Sequence, residues 1–111
     1  MSLCLFLESI NGTLSVKAPE ITIQPGDPCS VMFIASVKRG THHFDIASEG
    51  CLSPVSGFGL TPLAAVEDLV GSINKHAAKG GEVCHCFARK RTRTPLPASV
   101  ELDESIKYSL K

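Results

Sequence analysis

The sequence predicts an α+β fold. A largely antiparallel sheet, made of a β-hairpin, a three-strand meander and a returning strand, carries one main helix on one face. Three observations predict it. Leu60 to Gly81 shows the start signal, apolar stripe and stop signal of a single amphipathic helix. Before that stretch the chain breaks into short apolar runs separated by turn formers, and one further alternating run follows it. At 111 residues the chain has the size of one domain with its own core.

In chain order, Leu3 to Ile10 reads as a strand, and Asn11-Gly12 after it is the strongest short-range hairpin signal, since both residues tolerate positive φ. Thr13 to Lys17 alternates as the return strand should. Glu20 to Gln24 resumes in β-branched residues, and Pro25-Gly26-Asp27-Pro28 is dense in turn formers. Cys29 to Val37 is the most continuously apolar run and predicts a central strand buried on both faces. Lys38-Arg39-Gly40-Thr41 turns the chain. His42 to Ser48 is a shorter strand with Phe44 and Ile46 inward, and Cys51 to Val55 is the third strand of the meander. Ser56-Gly57-Phe58-Gly59 reads as a glycine-rich loop.

The helix follows. Thr61 can accept a bond from an early backbone N–H, and Pro62 suits the first helical turn. Leu63, Val66, Leu69, Val70, Ile73 and Ala77 fall on one stripe. Glu67 and Asp68 lie early and Lys75 and Lys79 late, the order that the helix dipole favours, and Gly80-Gly81 ends the element. Glu82 to Ala88 is the returning strand. Arg89 to Pro97 is basic and then proline-broken, so it predicts an edge extension or a loop. In the tail, Ile106, Tyr108 and Leu110 alternate as a final strand, with a short helix as the competing reading.

Composition narrows the function classes. No run approaches the roughly 18 apolar residues that a membrane span needs, and no basic leader precedes the N-terminal apolar run. The expectation is therefore a cytoplasmic protein without a membrane partner. Five cysteines at irregular spacing argue against a disulfide framework and for reduced thiols. Net charge is zero but unevenly placed: residues 1–74 hold three bases against seven acids, and residues 75–111 hold eight against four. Such asymmetry suits a polyanion-binding edge or self-association.

Gly50-Cys51, Ser53, Gly59-Leu60-Thr61 and Ala65, following two strands, resemble the core of HicB-like antitoxins over residues 29–88. That family runs three strands, a Gly-x-Thr lead-in to a helix, and a further strand. The chain departs from it at Ala64, where the family has an acid, and ahead of Gly50, where the family has proline. The phrase from Gly57 to Pro62, with Ala64 to Leu69, is also similar to small proteins carried by tailed phages and prophages. Both resemblances imply a binding or accessory protein, placed in the host cytoplasm if phage-encoded, rather than an enzyme.

In an extended strand Arg89, Arg91 and Arg93 project to one side about 6.6 Å apart, close to the phosphate spacing of a nucleic-acid strand. With Lys90 they are the candidate nucleic-acid-binding residues, against the alternative of a solvated edge whose charges block aggregation. Cys84-His85-Cys86 invites a metal, but a strand sends His85 to the opposite face from both thiols. Cys51 with His42 or His43 could form a thiol–imidazole pair if the fold joined them. The Ser56–Gly59 loop before a helix lacks the Lys and Ser/Thr of a phosphate loop. No catalytic residue, metal or cofactor is expected. The leading reading is a non-enzymatic protein acting through contacts with a protein partner or with itself, a homodimer formed by sheet extension included; nucleic-acid binding is the alternative.

Overall fold

The computed structural model describes residues 1–18, 32–40, 42–48, 51–87 and 90–110, with the side chains of residues 42, 43, 51, 85–87 and 90–92 left out of the description. It is α+β, with antiparallel sheets against which one long helix packs.

The chain begins with helix α1 (Leu3–Ser9), not with the outer strand of a hairpin. The reason is legible in the spacing: Leu3, Phe6, Leu7 and Ile10 are buried and recur at helical steps. Asn11 does adopt positive φ, at 53°, but it does so to end a helix. The Gly12 N–H donates back to the Leu7 carbonyl at 2.8 Å. Asn-Gly thus supplies the same left-handed geometry to a helix end that it would supply to a hairpin.

Strand β1 (Thr13–Lys17) pairs antiparallel with β2 (Phe33–Arg39), from Thr13 opposite Lys38 to Lys17 opposite Ile34. The expected strand at Glu20–Gln24 and the start of the Cys29–Val37 run lie outside the described residues. Strand β2 is central, as expected, and buried on both faces only at its middle. Ala35 and Val37 are buried toward the core and Ser36 is buried on the other face, whereas Ile34, on the same face as Ser36, is open to solvent.

Gly40, at φ +61°, turns the chain into β3 (His42–His43), which pairs with the end of β2. The chain then forks. It leaves β2 at Phe44, makes the hairpin β4 (Asp45–Ser48) and β5 (Cys51–Pro54), and returns at Val55. Val37 holds both ends of the fork: its N–H donates to Val55 and its carbonyl accepts from Phe44, each at 3.3 Å. Phe44 and Val55 are buried there with Val37.

The stretch expected to be a loop is strand β6 (Ser56–Gly59), paired with β2 from Phe33 opposite Gly59 to Ser36 opposite Ser56. Its glycines serve packing. A Cβ at Gly57 would overlap the Leu69 amide nitrogen and the Ala65 carbonyl oxygen, and one at Gly59 would stand 2.5 Å from the Ala65 nitrogen. Helix α2 (Pro62–Ala77) therefore lies backbone against backbone on β6, burying Ala65, Val66, Leu69, Val70 and Ile73. Thr61 caps it as expected, its Oγ1 accepting from the Ala64 N–H at 3.0 Å, and Gly80 leaves it at φ +72°.

The second sheet runs β5-β4-β7-β8, with β7 (Glu82–Phe87) against β4 and β8 (Lys90–Pro95) on the outer edge. The basic run is therefore an edge strand, one of its two expected forms. The tail takes its helical alternative, α3 (Glu104–Ser109). Ile106 and Leu110, one helical turn apart, pack on the core, and Tyr108 points away.

Two contacts sew the ends to this frame. The Asn74 side chain donates to the Val100 carbonyl at 2.9 Å and accepts from its N–H at 2.7 Å, as a neighbouring strand would. Ser2 and Glu101 form a parallel bridge.

Gly57→Ala is expected to destabilise the protein by about 3 kcal/mol or more, because two backbones must separate to admit one methyl. Gly71, inside α2 with nothing within 4 Å of its added Cβ, is the control. Gly71→Ala should stabilise by about 0.5–1 kcal/mol through helix propensity. Urea unfolding of both variants checks the contrast in sign.

Candidate binding surface

Along Leu52 to Leu60 the chain alternates cleanly. Val55, Gly57 and Gly59 are buried toward α2, while Leu52, Pro54, Phe58 and Leu60 face outward. Pairing extends this apolar row onto β2, where Ile34 stands opposite Phe58 and Met32 precedes it by two on the same face. The exposures are high for large apolar side chains: Met32 37%, Ile34 40%, Phe58 49%, Leu52 51% and Leu60 72%. Met1, Leu5 and Tyr108, near the chain ends, are the other large hydrophobics exposed among the described residues. Of the row, Met32, Ile34, Phe58 and Leu60 gather on the outer side of the β2–β6 pair, while Leu52 belongs to the second sheet. Such a concentration marks a contact surface more often than scattered exposure does.

Charges flank the row across the strands. Lys17 on β1 is the cross-strand partner of Ile34, which in turn partners Phe58. Beyond Phe58, at the edge of β6, the Asp68 carboxylate on α2 accepts from the Phe58 N–H at 2.9 Å. The outer row thus reads base, apolar, apolar, and the acid reaches its edge from α2 on the other side of the sheet. Lys38 shares the face with Lys17, and its ammonium is held below the ordinary value of 10.5 by partial removal from water and by the Lys17 charge.

The residues expected to bind nucleic acid are placed as follows. Arg89 lies outside the described residues. Lys90, Arg91 and Arg93 are on β8, in register with Phe87, Cys86 and Cys84 respectively. Arg91 and Arg93 therefore occupy positions on one face, as an extended strand requires. Arg93 reaches toward Glu82 on β7 at 4.0 Å, and both side chains are well exposed. In water such a pair is weak, but it leaves less positive potential on the stripe.

The backbone places the thiol and metal candidates on separate strands. Cys51 pairs with Ser48 at the hairpin tip, whereas His42 and His43 pair with Arg39 and Lys38. His42 and His43 are in the first sheet and Cys51 in the second, on either side of the branch at Phe44. Cys84 is buried, and the described residues contain no group of three or more metal-binding side chains. Ser48 Oγ and His76 Nδ1 stand 2.7 Å apart, a pair that sequence spacing did not suggest. Ser48 is buried under the end of α2, so the bond fastens that end to β4.

In the sequence, apolar neighbours conceal the exposure of Ile34, and the glycines of Ser56–Gly59 conceal the strand that presents Phe58. The available signal was the period of two from Leu52 to Leu60, with glycine at the inward positions. No family, curated protein or solved structure matches this chain.

Cys4 is exposed yet guarded. The Asp103 carboxylate accepts its backbone N–H at 2.8 Å. The thiol's hydrogen bond to Asp103, then burial, then the charges of Asp103 and Glu8 push its pKa above the ordinary 9.0. Asp103 in turn is held below 3.8, first by the Cys4 thiol and then by the Cys4 N–H. A lowered carboxyl pKa contributes stability that is present above the unfolded value and lost as pH falls through the folded one. Asp103→Asn should therefore flatten the loss of stability below about pH 4. It should also speed alkylation of Cys4 near neutral pH, as measured by thiol-reagent kinetics.

Proposed function

We propose that this protein is a non-enzymatic binding module whose docking surface is the outer face of the β2–β6 sheet. The observation that carries the reading is the apolar row of Met32, Ile34, Phe58 and Leu60, left open on the side opposite α2. Burying Phe58 and Ile34 in a contact would contribute on the order of 1.5–3 kcal/mol each before ordering costs. Over residues 33–87 the strands β2 to β6 precede α2 and β7 follows it. This order of strands, helix and returning strand supports an antitoxin-like or phage-type accessory role, although the chain has five strands ahead of the helix where the antitoxin family has three.

The alternative, nucleic-acid binding through Arg89, Lys90, Arg91 and Arg93, draws support from β8 being a strand. Asp45 and Glu82 count against it. The register puts both on the face that carries Cys84 and Arg93, so acids border the basic column. That reading predicts salt-sensitive binding to DNA or RNA that weakens when these four residues become Ser.

A photoreactive phenylalanine analogue at Phe58, introduced in the native host, should crosslink to protein. Ile34→Asp in the same chain should abolish that adduct, and the analogue at Lys75, on the exposed side of α2, should give none. Equal crosslinking from both positions, or none from Phe58, would remove the docking-face reading.

A further inference from the structure

We infer that Asp68 is an edge guard: by holding the outward N–H of Phe58 it keeps the open edge of β6 from adding a strand of a second copy of this chain. The inference concerns the edge of β6 and stands apart from the docking-face reading.

The edges of the two sheets differ in what they carry. Among the described strands, β1, β3, β5, β6 and β8 lie at edges. Strand β1 ends in Lys17, β5 ends in Pro54, and β8 holds Lys90, Arg91, Arg93 and Pro95. Strand β3 is only two residues long. Charge, proline and shortness are the common means by which an edge avoids recruiting another strand. Strand β6, Ser-Gly-Phe-Gly, has neither a charge nor a proline of its own. It also lies beside the exposed side chains of Ile34 and Leu60. An uncharged edge next to an apolar face is the kind that associates.

The alternation of β6 decides which main-chain groups face that edge. The Val55 carbonyl accepts from the Val37 N–H on β2. Gly57 and Gly59, two and four residues on, therefore turn their main chain to β2 as well. Ser56 and Phe58 turn theirs outward, and the Phe58 N–H meets the Asp68 carboxylate there at 2.9 Å.

The guard has to come from the helix. A Cβ at Gly57 or Gly59 would already overlap the backbone of α2, so neither position can hold a charge. Leu69, the next residue after Asp68, lies with its backbone against Gly57, which brings the carboxylate to the edge. A strand adding to β6 would have to offer its own carbonyl to the Phe58 N–H and so displace a charged acceptor. The displaced carboxylate would then stand against the carbonyls of the new strand without a donor.

Sedimentation in the micromolar range and amide hydrogen exchange test the guard together. Asp68→Ala should stay folded by circular dichroism yet form larger species than the wild type at equal concentration. In dilute solution its Phe58 amide should exchange roughly tenfold or more faster than in the wild type. Asp68→Asn keeps an acceptor and should fall between the two in both measurements. Adding Ser56→Pro to Asp68→Ala removes the other outward donor while leaving the pairing with β2 in place, so it should restore the wild-type mass. A folded Asp68→Ala with wild-type mass, or association that Ser56→Pro does not relieve, would overturn the inference. The wild type gives a readout that needs no variant. Its Phe58 amide should be protected well above its Ser56 amide, and equal protection would overturn the inference whether or not Asp68→Ala folds.

Discussion

The approach of α2 to β6 is the constraint on which the rest of the structure depends. Gly57 and Gly59 present no side chain to the helix, so Leu69 and Ala65 bring their backbone atoms onto the strand. Side-chain packing on both sides would hold the elements at the usual separation of about 10 Å between layers. Here the strand contributes only main chain. Every side chain larger than hydrogen on β6, Ser56 and Phe58, therefore points to the other face. Close contact with the helix on one side and an apolar outer face on the other are two results of one alternation.

The fork at Val37 extends that arrangement to the second sheet. Strand β2 offers one edge to two partners, β6 for its first half and β3 for its end, and between them Phe44 and Val55 leave as a hairpin. Three apolar side chains fill the branch point, where an unfilled gap would cost both packing and backbone pairing. The hairpin reaches β7 at Asp45, Ile46 and Ala47, which sets Ser48 within hydrogen-bond distance of His76. The far end of α2 is thus pinned to the second sheet.

Much of this was legible from residue patterns, and the exceptions have physical reasons. Thr61, the stripe from Val66 to Ile73, and Gly80 specify α2 almost to its ends, because cap, stripe and stop are all local signals. Leu3 to Ile10 carries a helical stripe, yet Asn11-Gly12 after it predicts a hairpin, since the same positive φ serves a hairpin and a helix end. Glycine in β6 suggests a loop when only its freedom is weighed. Its other property, absence of bulk, matters here, and that depends on a helix a dozen residues later. Ile34 looked buried because its neighbours in sequence are apolar; whether a second layer covers it is a non-local fact. The pairing of Ser48 with His76 and of Asn74 with Val100 joins residues more than twenty positions apart and leaves no local trace.

Asp68 links these themes. It is placed at the β6 edge only because Gly57 and Gly59 let α2 lie so close, and its carboxylate fills a backbone donor that would otherwise recruit another strand. Natural sheets commonly protect edges with charge, and the usual result is a monomer with no tendency to associate. In this chain the protection covers the edge and leaves the face beside it apolar, with Lys17 at the opposite side of the same row. Association through added hydrogen bonds is thereby disfavoured relative to association through side-chain packing.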